Sequence, residues 1–513
     1  MDGEFLTDQP LGEKLIKKGF RLYFFMFLVA PIGYFIRVIV SNHFSVEEVG
    51  VFYSVLGLVL LLSVYHDLWL TEALQYYLPK YRIEKKHNGY KTIVVLTLLA
   101  QVFFGVIIAV AMWFGAGWLA IHHFHSPAAK DILRILCLYF IGVNFLNVFN
   151  SVFIGFQDVI SSSLIEFFRQ YSILGFTIIF WLTNTLNITN FSIGRILGLS
   201  IALTVGWIIF LKKYRKILRL GKIEITKDII KPQLKYAFRV FLWANSRLLF
   251  SQVDQQMIIN LLWPREAWFY SNYLIIIWVY FMVVNPILSI LFPIVTELIT
   301  KKDHHKLSAL QNLLYKYFSV FTLSIWGILR AFGPEIASAL FGIKFLHSWT
   351  LLIYSAPFLV FHVLFNINFG ILAGLGKVRD RVKIVFGSLV VNIILNIITI
   401  YFLKMGLIGA VISWIVSWIM LWLRSFKLIH KNEKIHFDIK FFLGNAIVII
   451  GLTAIFYLYK GRFLILDDAH RWQNILYLVG GLLLYYIIIA GINYKSIGSV
   501  MKEMKTIKHR RKN

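Results

Sequence analysis

The sequence predicts an all-α polytopic membrane protein with about fourteen transmembrane helices. Hydrophobic residues make up 59% of the 513-residue chain and charged residues only 15%, and the mean hydropathy is +0.73. Soluble proteins carry about 25% charged residues, so most of this chain is expected to lie in lipid. Apolar stretches of about 20 residues, the length that crosses a bilayer, follow one another from Phe20 almost to the end.

Each span is placed where an apolar stretch lies between charged or turn-forming breaks. Inside a bilayer the backbone polar groups must bond within the segment, so each span is predicted to be a helix. The predicted spans lie near residues 20–41, 49–72, 91–117, 132–155, 160–182, 193–211, 236–261, 268–293, 311–332, 350–372, 383–403, 406–426, 441–459 and 474–494.

Basic loops alternate with loops that are poor in Lys and Arg. The basic clusters fall within residues 80–91, 212–239, 301–306, 377–383 and 427–440. The positive-inside rule then predicts a cell (inner, cytoplasmic) membrane protein with both termini in the cytoplasm. The formal charge of +27 follows this topology, which argues against a nucleic-acid partner. The basic tail, residues 495–512, is expected to contact anionic membrane lipids or simply to anchor the topology.

The first twelve spans divide into two sets of six that match weakly in register. The triplet Phe52–Ser54 recurs as Phe269–Ser271, each time after a short outer loop. We therefore predict two pseudo-symmetric six-helix bundles, residues 1–220 and 221–430. Residues 431–513 would add two transmembrane helices and the basic cytoplasmic tail. In transporters built from repeats, the substrate path lies at the interface between the bundles.

Five stretches, in the expected order, carry a family resemblance. They are Gly50–Tyr81, with its aromatic-Leu-Pro-x-Tyr ending, Lys231–Phe241, Val253–Leu262, Ile371–Val378 and Gly406–Ser413. With them the chain resembles the Wzx-type oligosaccharide flippases, within the multidrug/oligosaccharidyl-lipid/polysaccharide transporter superfamily.

The resemblance implies a two-lobed fold that alternates between inward-open and outward-open states. It implies a cationic cavity that accepts the pyrophosphate of a polyprenyl-linked glycan, no cofactor, and polysaccharide-assembly proteins as partners. Members of the family often carry Arg shortly before the aromatic-Leu-Pro ending, where this chain has Gln75. This departure puts one cationic contact of the cavity in question.

Ionisable side chains inside spans are functional candidates because lipid exposure of a charge is costly. Arg37 and Asp254 precede the repeated triplets by the same number of residues, and their opposite charges favour a pair. We predict that this pair closes an outer gate in the inward-facing state. The alternative is that each pairs within its own lobe or snorkels to the interface. Arg247 is predicted to contact an anionic headgroup, or alternatively helix carbonyls.

Five further side chains are weaker candidates. Glu166 and Arg169, three residues apart on one helix face, are expected to pair locally, with substrate contact as the alternative. His66 and Asp67 are candidates for ion coupling, although adjacent residues on a helix point about 100° apart, which favours a structural use. Arg195 lies near an outer span end, where snorkelling to the interface is the default expectation.

Three competing functions follow from the same residues. A lipid II flippase or a cation-coupled multidrug exporter would share the fold, but the arginines favour an anionic substrate over a cationic drug. A membrane glycosyltransferase or polymerase could use Glu47 and Glu48, yet the outer loops are too short to hold an acceptor. We therefore expect a transporter and not an enzyme. The histidines at 122, 123 and 125 lack companion ligands, so no metal site is expected.

Overall fold

A computed structural model gives the architecture of the chain. It describes residues 28–29, 31–66, 70–84, 86–156, 158–219, 222–226, 230–235, 237, 246–300, 304–341, 346–375, 377–430, 439–462, 464 and 471–492. Every regular element within these ranges is a helix, so the predicted all-α class is confirmed.

The helices are numbered in chain order. They are α1 (31–43), α2 (Val46–Tyr65), α3 (Leu70–Ile83), α4 (His87–His122), α5 (Ala129–Gly155), α6 (Val159–Leu182), α7 (Ile188–Arg219), α8 (230–235), α9 (Ser246–Leu261), α10 (Pro264–Thr300), α11 (His304–Phe341), α12 (Leu346–Ser355), α13 (Leu359–Gly374), α14 (Val378–Asn396), α15 (Gly406–His430), α16 (Ile439–Tyr459) and α17 (Arg471–Ile492). Short 3₁₀ turns at Ala356–Phe358 and Lys460–Arg462 and a π-helical turn at Ile397–Phe402 join some of them.

Eight helices in the described part of the chain contain a stretch long and apolar enough to cross a membrane. These stretches are Val46–Ser63, Lys91–His122, Ala129–Gly155, Ile188–Arg215, Trp349–Leu372, Arg379–Phe402, Gly406–His430 and Lys440–Arg462. The predicted spans near 160–182, 268–293, 311–332 and 474–494 also coincide with helices, α6, α10, α11 and α17. The chain is therefore a multi-pass membrane protein.

The helix ends differ from the predicted span ends. Helices α10 and α11 have 37 and 38 residues and extend well beyond the predicted spans 268–293 and 311–332. A hydropathy window stops where polar residues begin, whereas the helical hydrogen bonds continue through the polar interface.

The described chain forms two compact units. The first contains the residues up to Leu274 together with Val385–Ala410, and the second contains Ile275–Ile384 together with the residues from Val411 onward. Helices α10, α14 and α15 each have residues in both units. The division into residues 1–220, 221–430 and 431–513 rests on the sequence repeat and stays a prediction.

In the first unit, Asp158 ties the start of α6 to the end of α7. Its carboxylate accepts from the backbone N–H of Ser161 at 3.2 Å, which caps α6, and lies 2.8 Å from Lys213 Nζ. Tyr214 donates to the same carboxylate at 2.8 Å. Burial tends to raise the pKa of Asp158, but the hydrogen bonds from Lys213, Ser161 and Tyr214 outweigh burial and hold the pKa below its usual value.

Glycines allow α2 to pack closely against its neighbours in the first unit. A Cβ at Gly50 would lie 2.0 Å from the carbonyl oxygen of Pro264, at the start of α10, and a Cβ at Gly57 would lie 2.6 Å from Gln252 Oε1 of α9. In the same seam, Gln256 Nε2 of α9 donates to the Ser54 carbonyl at 2.9 Å. The polar face of α9 therefore reaches the backbone of α2 because no side chain stands between them.

In the second unit, α16 and α17 both pack against α11. Their shared core consists of Val320, Ile328, Ile449, Tyr485 and Ile489. An ion pair closes one end of this packing, because Lys460 Nζ lies 2.8 Å from Glu335 Oε1 and the two side chains are only 14% and 4% exposed. A charge buried to this degree is destabilising unless it is paired, so the pair fixes α11 against the end of α16.

Gly50→Ala should destabilise the protein, because the added Cβ would meet the Pro264 backbone, which cannot rotate away. Overpacking of this kind costs about 1–3 kcal/mol. We expect a lower thermal unfolding midpoint in detergent, measured by intrinsic tryptophan fluorescence. The matched control is Gly117→Ala in α4, where nothing lies within 4 Å of the added atom. An equal midpoint for the two variants would contradict this account of the α2–α10 contact.

Candidate functional site

Arg37 of α1 is a buried guanidinium, 3% exposed, in contact with the side chains of Ser271, Asn272 and Tyr53. Its Nε and Nη2 donate to Asn272 Oδ1 at 3.0 and 2.8 Å, and Nη2 also donates to Ser271 Oγ. The guanidinium carbon lies 3.5 Å from the centre of the Tyr53 ring. The aromatic face of Tyr53, one amide oxygen and one hydroxyl oxygen replace the water that the charge has lost.

Arg195 of α7 lies beside Arg37, close enough that the two positive charges repel. Its guanidinium carbon is 5.7 Å from the ring centres of Phe52 and Tyr139 and 5.9 Å from that of Phe191. Its Nε is buried and has no hydrogen-bond partner in the described structure. Arg195 is thus enclosed by aromatic rings, whereas the sequence suggested a side chain that snorkels to the interface.

Tyr139 of α5 links Arg195 to a further arginine. The Arg195 guanidinium carbon lies 5.7 Å from the centre of the Tyr139 ring, and the Tyr139 hydroxyl accepts from Arg169 Nη1 at 2.9 Å. Arg169 Nε also donates to Glu166 Oε2 at 2.9 Å. The pair of Glu166 and Arg169 that the helical spacing predicts is therefore present in the structure. Arg169 also contacts Tyr139, whose ring lies near Arg195.

We call Arg37, Arg195 and Arg169 the arginine cluster. In the described first unit, Glu166 is the carboxylate in contact with it, so positive charge remains in excess. The guanidinium fork matches the oxygens of phosphate and carboxylate groups. Arg195 has a donor still to satisfy, and Arg169 and Glu166 are 17% and 36% exposed. The cluster is therefore chemically suited to an anionic ligand.

Asp254 of α9 forms a second polar site in the same unit. The carboxylate is fully buried and accepts from Tyr270 at 3.0 Å and from Asn396 Nδ2 at 2.6 Å. Asn392 Oδ1 lies 3.4 Å from the same Asn396 nitrogen. Asn392 Nδ2 and Asn396 Oδ1 are buried without partners in the described structure.

The surroundings of Asp254 fit a proton or a small cation. The described contacts of the carboxylate are neutral, and a buried carboxylate without a positive partner is strongly disfavoured unless it is protonated or binds a cation. Asn396 is followed at once by the π-helical turn Ile397–Phe402, a geometry that is frequent at functional sites. The unpartnered Asn396 Oδ1 adds an oxygen acceptor beside the carboxylate.

The structure does not bring Arg37 and Asp254 into direct contact, because each side chain is held by other partners. Three consecutive residues of α10 serve both charges: Tyr270 bonds Asp254, and Ser271 and Asn272 bond Arg37. Arg37 contacts the tyrosine of the first triplet, Tyr53, and Asp254 contacts the tyrosine of the second, Tyr270. The direct gate pair stays a prediction.

The other sequence candidates lie apart from the arginine cluster or outside what is described. Gln75 donates to Ser151 Oγ of α5 at 3.0 Å. His66 is buried, with Nδ1 2.9 Å from the Ser63 carbonyl and Nε2 against Gln101 of α4. Asp67 and the Arg247 side chain lie outside the described residues. His66 thus lies in the contact between its own segment and α4. The role of His66 in ion coupling stays a prediction.

Glu48, a carboxylate considered for transferase chemistry, has a structural use. Its side chain accepts from the Ser45 backbone N–H at 2.9 Å while Ser45 Oγ accepts from the Glu48 N–H at 3.2 Å. This reciprocal arrangement is a capping box that starts α2. A carboxylate held in this way is not oriented toward a substrate.

The histidines after α4 hold the loop against the end of α9. His123 Nε2 lies 2.9 Å from Gln256 Oε1, and His123 Nδ1 is 3.2 Å from Asn260 Nδ2. His125 Nε2 lies 2.9 Å from the Asn260 carbonyl. Burial lowers the pKa of His123 below its usual value of 6.5, and His125 lowers it further, against a smaller raising effect of Gln256. These contacts fit a neutral His123 that donates from Nε2 and accepts at Nδ1.

Acidification should weaken this contact. The unfolded chain protonates His123 near its usual pKa, whereas the folded chain resists protonation, so the stabilisation is present above about pH 6.5 and is lost as the pH falls. We expect the thermal midpoint to drop less between pH 7 and pH 5 in His123→Asn than in the wild type. The exposed neighbour His122, replaced by Asn, serves as the control. The same pH dependence in the wild type and His123→Asn would disprove the assignment.

Comparison with known proteins relates the chain to another membrane protein. No protein-family model matches the chain. The chain is 27% identical over 402 residues to an uncharacterized membrane protein of Methanocaldococcus jannaschii, which covers 75% of this chain and 78% of that protein.

Similar solved structures establish the fold. The lipid II flippase MurJ in an inward closed conformation has a TM-score of 0.71 and 16% identity. The match covers 93% of this chain and 99% of the MurJ chain. A multidrug resistance MATE family transporter of the MOP superfamily, inward-facing, has a TM-score of 0.68, 15% identity and coverages of 79% and 94%. The chain has the MOP-superfamily transporter fold. These relatives are transporters or flippases, and this fold supports the prediction of about fourteen helices.

A third neighbour is relevant to the charge of the site. It is a MOP superfamily transporter from Pyrococcus furiosus, described by a reverse polarity of its binding pocket that suggests a different function. Its TM-score is 0.56 at 15% identity, with coverages of 81% and 95%. Proteins that share this fold therefore differ in the polarity of the binding pocket.

Proposed function

We propose that the chain is a flippase that moves a polyprenyl-pyrophosphate-linked oligosaccharide from the cytoplasmic to the outer leaflet by alternating access. The observation that carries the proposal is the arginine cluster, with its aromatic surroundings and its single contacting carboxylate within the described first unit. In this proposal both termini are cytoplasmic, the protein lies in the cell membrane, and polysaccharide-assembly proteins supply or receive the glycan.

A pyrophosphate is the ligand group that best matches this cluster. It presents several oxygens and more than one negative charge, which paired guanidinium groups can bind through parallel N–H donors. Arg195 offers a buried donor without a partner, and Arg169 is partly exposed at the end of the chain of contacts. The polyprenyl tail stays in the lipid, so only the charged and sugar portions need a polar path.

The multidrug exporter is the weaker alternative because a cationic drug would be repelled by the same three arginines. A lipid II flippase remains the nearer alternative, since a lipid-linked pyrophosphate would satisfy the cluster in the same way. The two flippase functions differ in the glycan and not in the anionic group. Transferase chemistry is disfavoured because Glu48 is engaged in capping α2.

Reconstitution of the full chain into vesicles tests the proposal. A fluorescent polyprenyl-pyrophosphate glycan should cross to the other leaflet faster with the protein than without it. Arg195→Gln should slow this movement about tenfold to a hundredfold, because a charge-assisted hydrogen bond contributes roughly 1.5–3 kcal/mol. Arg195→Lys keeps the charge but loses the forked donors of the guanidinium. Its transport rate should lie between those of the wild type and Arg195→Gln.

Arg134→Gln is the matched control. Arg134 of α5 is also stacked on a ring, 5.3 Å from the Trp113 centre, and also has a buried Nε without a partner, but lies outside the cluster. Equal rates for the two glutamine variants would contradict a substrate role for the cluster. Transport of cationic dyes with no movement of the lipid glycan would favour the exporter.

Asp254 is the residue that we assign to energy coupling. Asp254→Asn keeps the hydrogen-bonding shape but removes the negative charge, so it should abolish the response of transport to an imposed proton or sodium gradient. Movement driven by the glycan's own gradient should persist. The control is Asp131→Asn, the same substitution at an exposed aspartate in the first turn of α5. An unchanged gradient response in Asp254→Asn would move the coupling role to His66 or elsewhere.

A further inference from the structure

A cavity of about 550 Å³ lies in the first unit, along α4 and α8 and apart from the arginine cluster. Its apolar lining consists of Leu70, Leu96, Leu99, Ala100, Val102, Phe103, Ile230 and Leu234. Leu99 and Phe103 are 60% and 62% exposed. Because exposed apolar side chains of a transmembrane helix face lipid, the cavity is open to the acyl chains of the bilayer.

One polar atom in this apolar lining lacks a partner. Thr97 is fully buried, lines the cavity, and its hydroxyl makes no hydrogen bond in the described structure. Threonines elsewhere in the spanning helices behave differently: Thr177, Thr322 and Thr453 each donate to the carbonyl four residues earlier at 2.7 Å. A buried hydroxyl without an acceptor is destabilising, so Thr97 is expected to donate to a ligand in the cavity.

Hydrogen bonds hold the segment 222–226 against α4, and hold α8, which forms one wall of the cavity, against α3. The backbone N–H groups of Lys222 and Glu224 donate to Asn88 Oδ1 and Thr92 Oγ1 of α4, both at 2.9 Å. Farther along, Gln233 Nε2 donates to Tyr81 OH at 3.2 Å. The wall that α8 forms is therefore fixed to α3, and the segment 222–226 to α4.

Positive charge stands next to the apolar wall. Lys231 and Lys235 are exposed and follow the cavity-lining residues Ile230 and Leu234 by one position each on α8. They are four residues apart and hence on one face of that helix. The apolar, lipid-open cavity suits an acyl chain. The unsatisfied hydroxyl suits an ester carbonyl, and the adjacent lysines suit a phosphate.

We propose that this cavity binds an anionic glycerophospholipid of the surrounding bilayer. The acyl chain packs along Leu99 and Phe103, the Thr97 hydroxyl donates to an ester carbonyl, and the phosphate-bearing headgroup lies near Lys231 and Lys235. The binding site is separate from the transported substrate, and its failure or success leaves the flippase proposal unaffected.

Native mass spectrometry of the full chain, released from vesicles of phosphatidylglycerol and phosphatidylcholine in equal amounts, tests the proposal. We expect one retained lipid with a clear preference for phosphatidylglycerol. A basic residue near an anionic lipid headgroup is worth roughly a fivefold change in affinity. Lys231→Ala combined with Lys235→Ala should therefore reduce the preference by at least about fivefold. Lys212→Ala with Arg215→Ala, which removes the same charge from exposed positions at the end of α7, should leave it unchanged.

Filling the cavity separates a built site from the general lipid annulus. Ala100→Phe should remove the retained lipid, whereas Ala111→Phe, an exposed position on the same helix outside the cavity, should keep it. Thr97→Val should weaken retention without changing the headgroup preference. Retention that survives Ala100→Phe, or equal retention of the two lipids by the wild type, would overturn the proposal. Displacement of the lipid by polyprenol alone would assign the cavity to the substrate tail instead.

Discussion

Charged side chains inside spanning helices lose their hydrating water, and in the first unit hydrogen bonds from other side chains replace it. The replacement depends on one turn of α10, where Tyr270 bonds Asp254 and the next two residues, Ser271 and Asn272, bond Arg37. The close packing of α2, through Gly50 against Pro264, accompanies this turn. Loss of the turn would remove the Tyr270 bond from Asp254 and the Ser271 and Asn272 bonds from Arg37 at once, leaving Asp254 with Asn396 and Arg37 with the Tyr53 ring.

Much of the fold could be predicted from the sequence because hydropathy and loop charge respond directly to the bilayer. The all-α class, the positions of the spans and the local Glu166–Arg169 pair follow from composition and helical spacing alone. The ends of α10 and α11 could not be placed, because a helix continues into the interface after hydropathy falls.

The candidate site was less predictable because its contacts join helices that are distant in the sequence. Nothing local to Arg195 indicates that Phe52 and Tyr139 enclose it, and nothing local to Asp254 indicates Asn396. The equal spacing of Arg37 and Asp254 from the repeated triplets predicted equivalent positions, and this equivalence stays a prediction. The spacing did not reveal that each contacts a triplet tyrosine, Tyr53 or Tyr270.

The first unit contains two polar sites of opposite charge, to which our proposal gives different roles in transport. The arginine cluster supplies excess positive charge for an anionic group, whereas Asp254 supplies one negative charge in neutral surroundings. Helix α10 contacts both Arg37 and Asp254, so a change of ligand at one charge can affect the geometry of the other. In our proposal this link connects an ion or proton to the movement of a lipid-linked glycan.

The most direct test of the flippase proposal is the leaflet in which the lipid-linked glycan resides when the host is depleted of the protein. Sidedness can be measured with an externally added glycan-modifying enzyme, and mass spectrometry identifies the accumulated species. We predict that a polyprenyl-pyrophosphate glycan accumulates on the cytoplasmic side, where the enzyme cannot reach it. Unchanged sidedness, together with greater sensitivity to cationic drugs, would contradict the proposal.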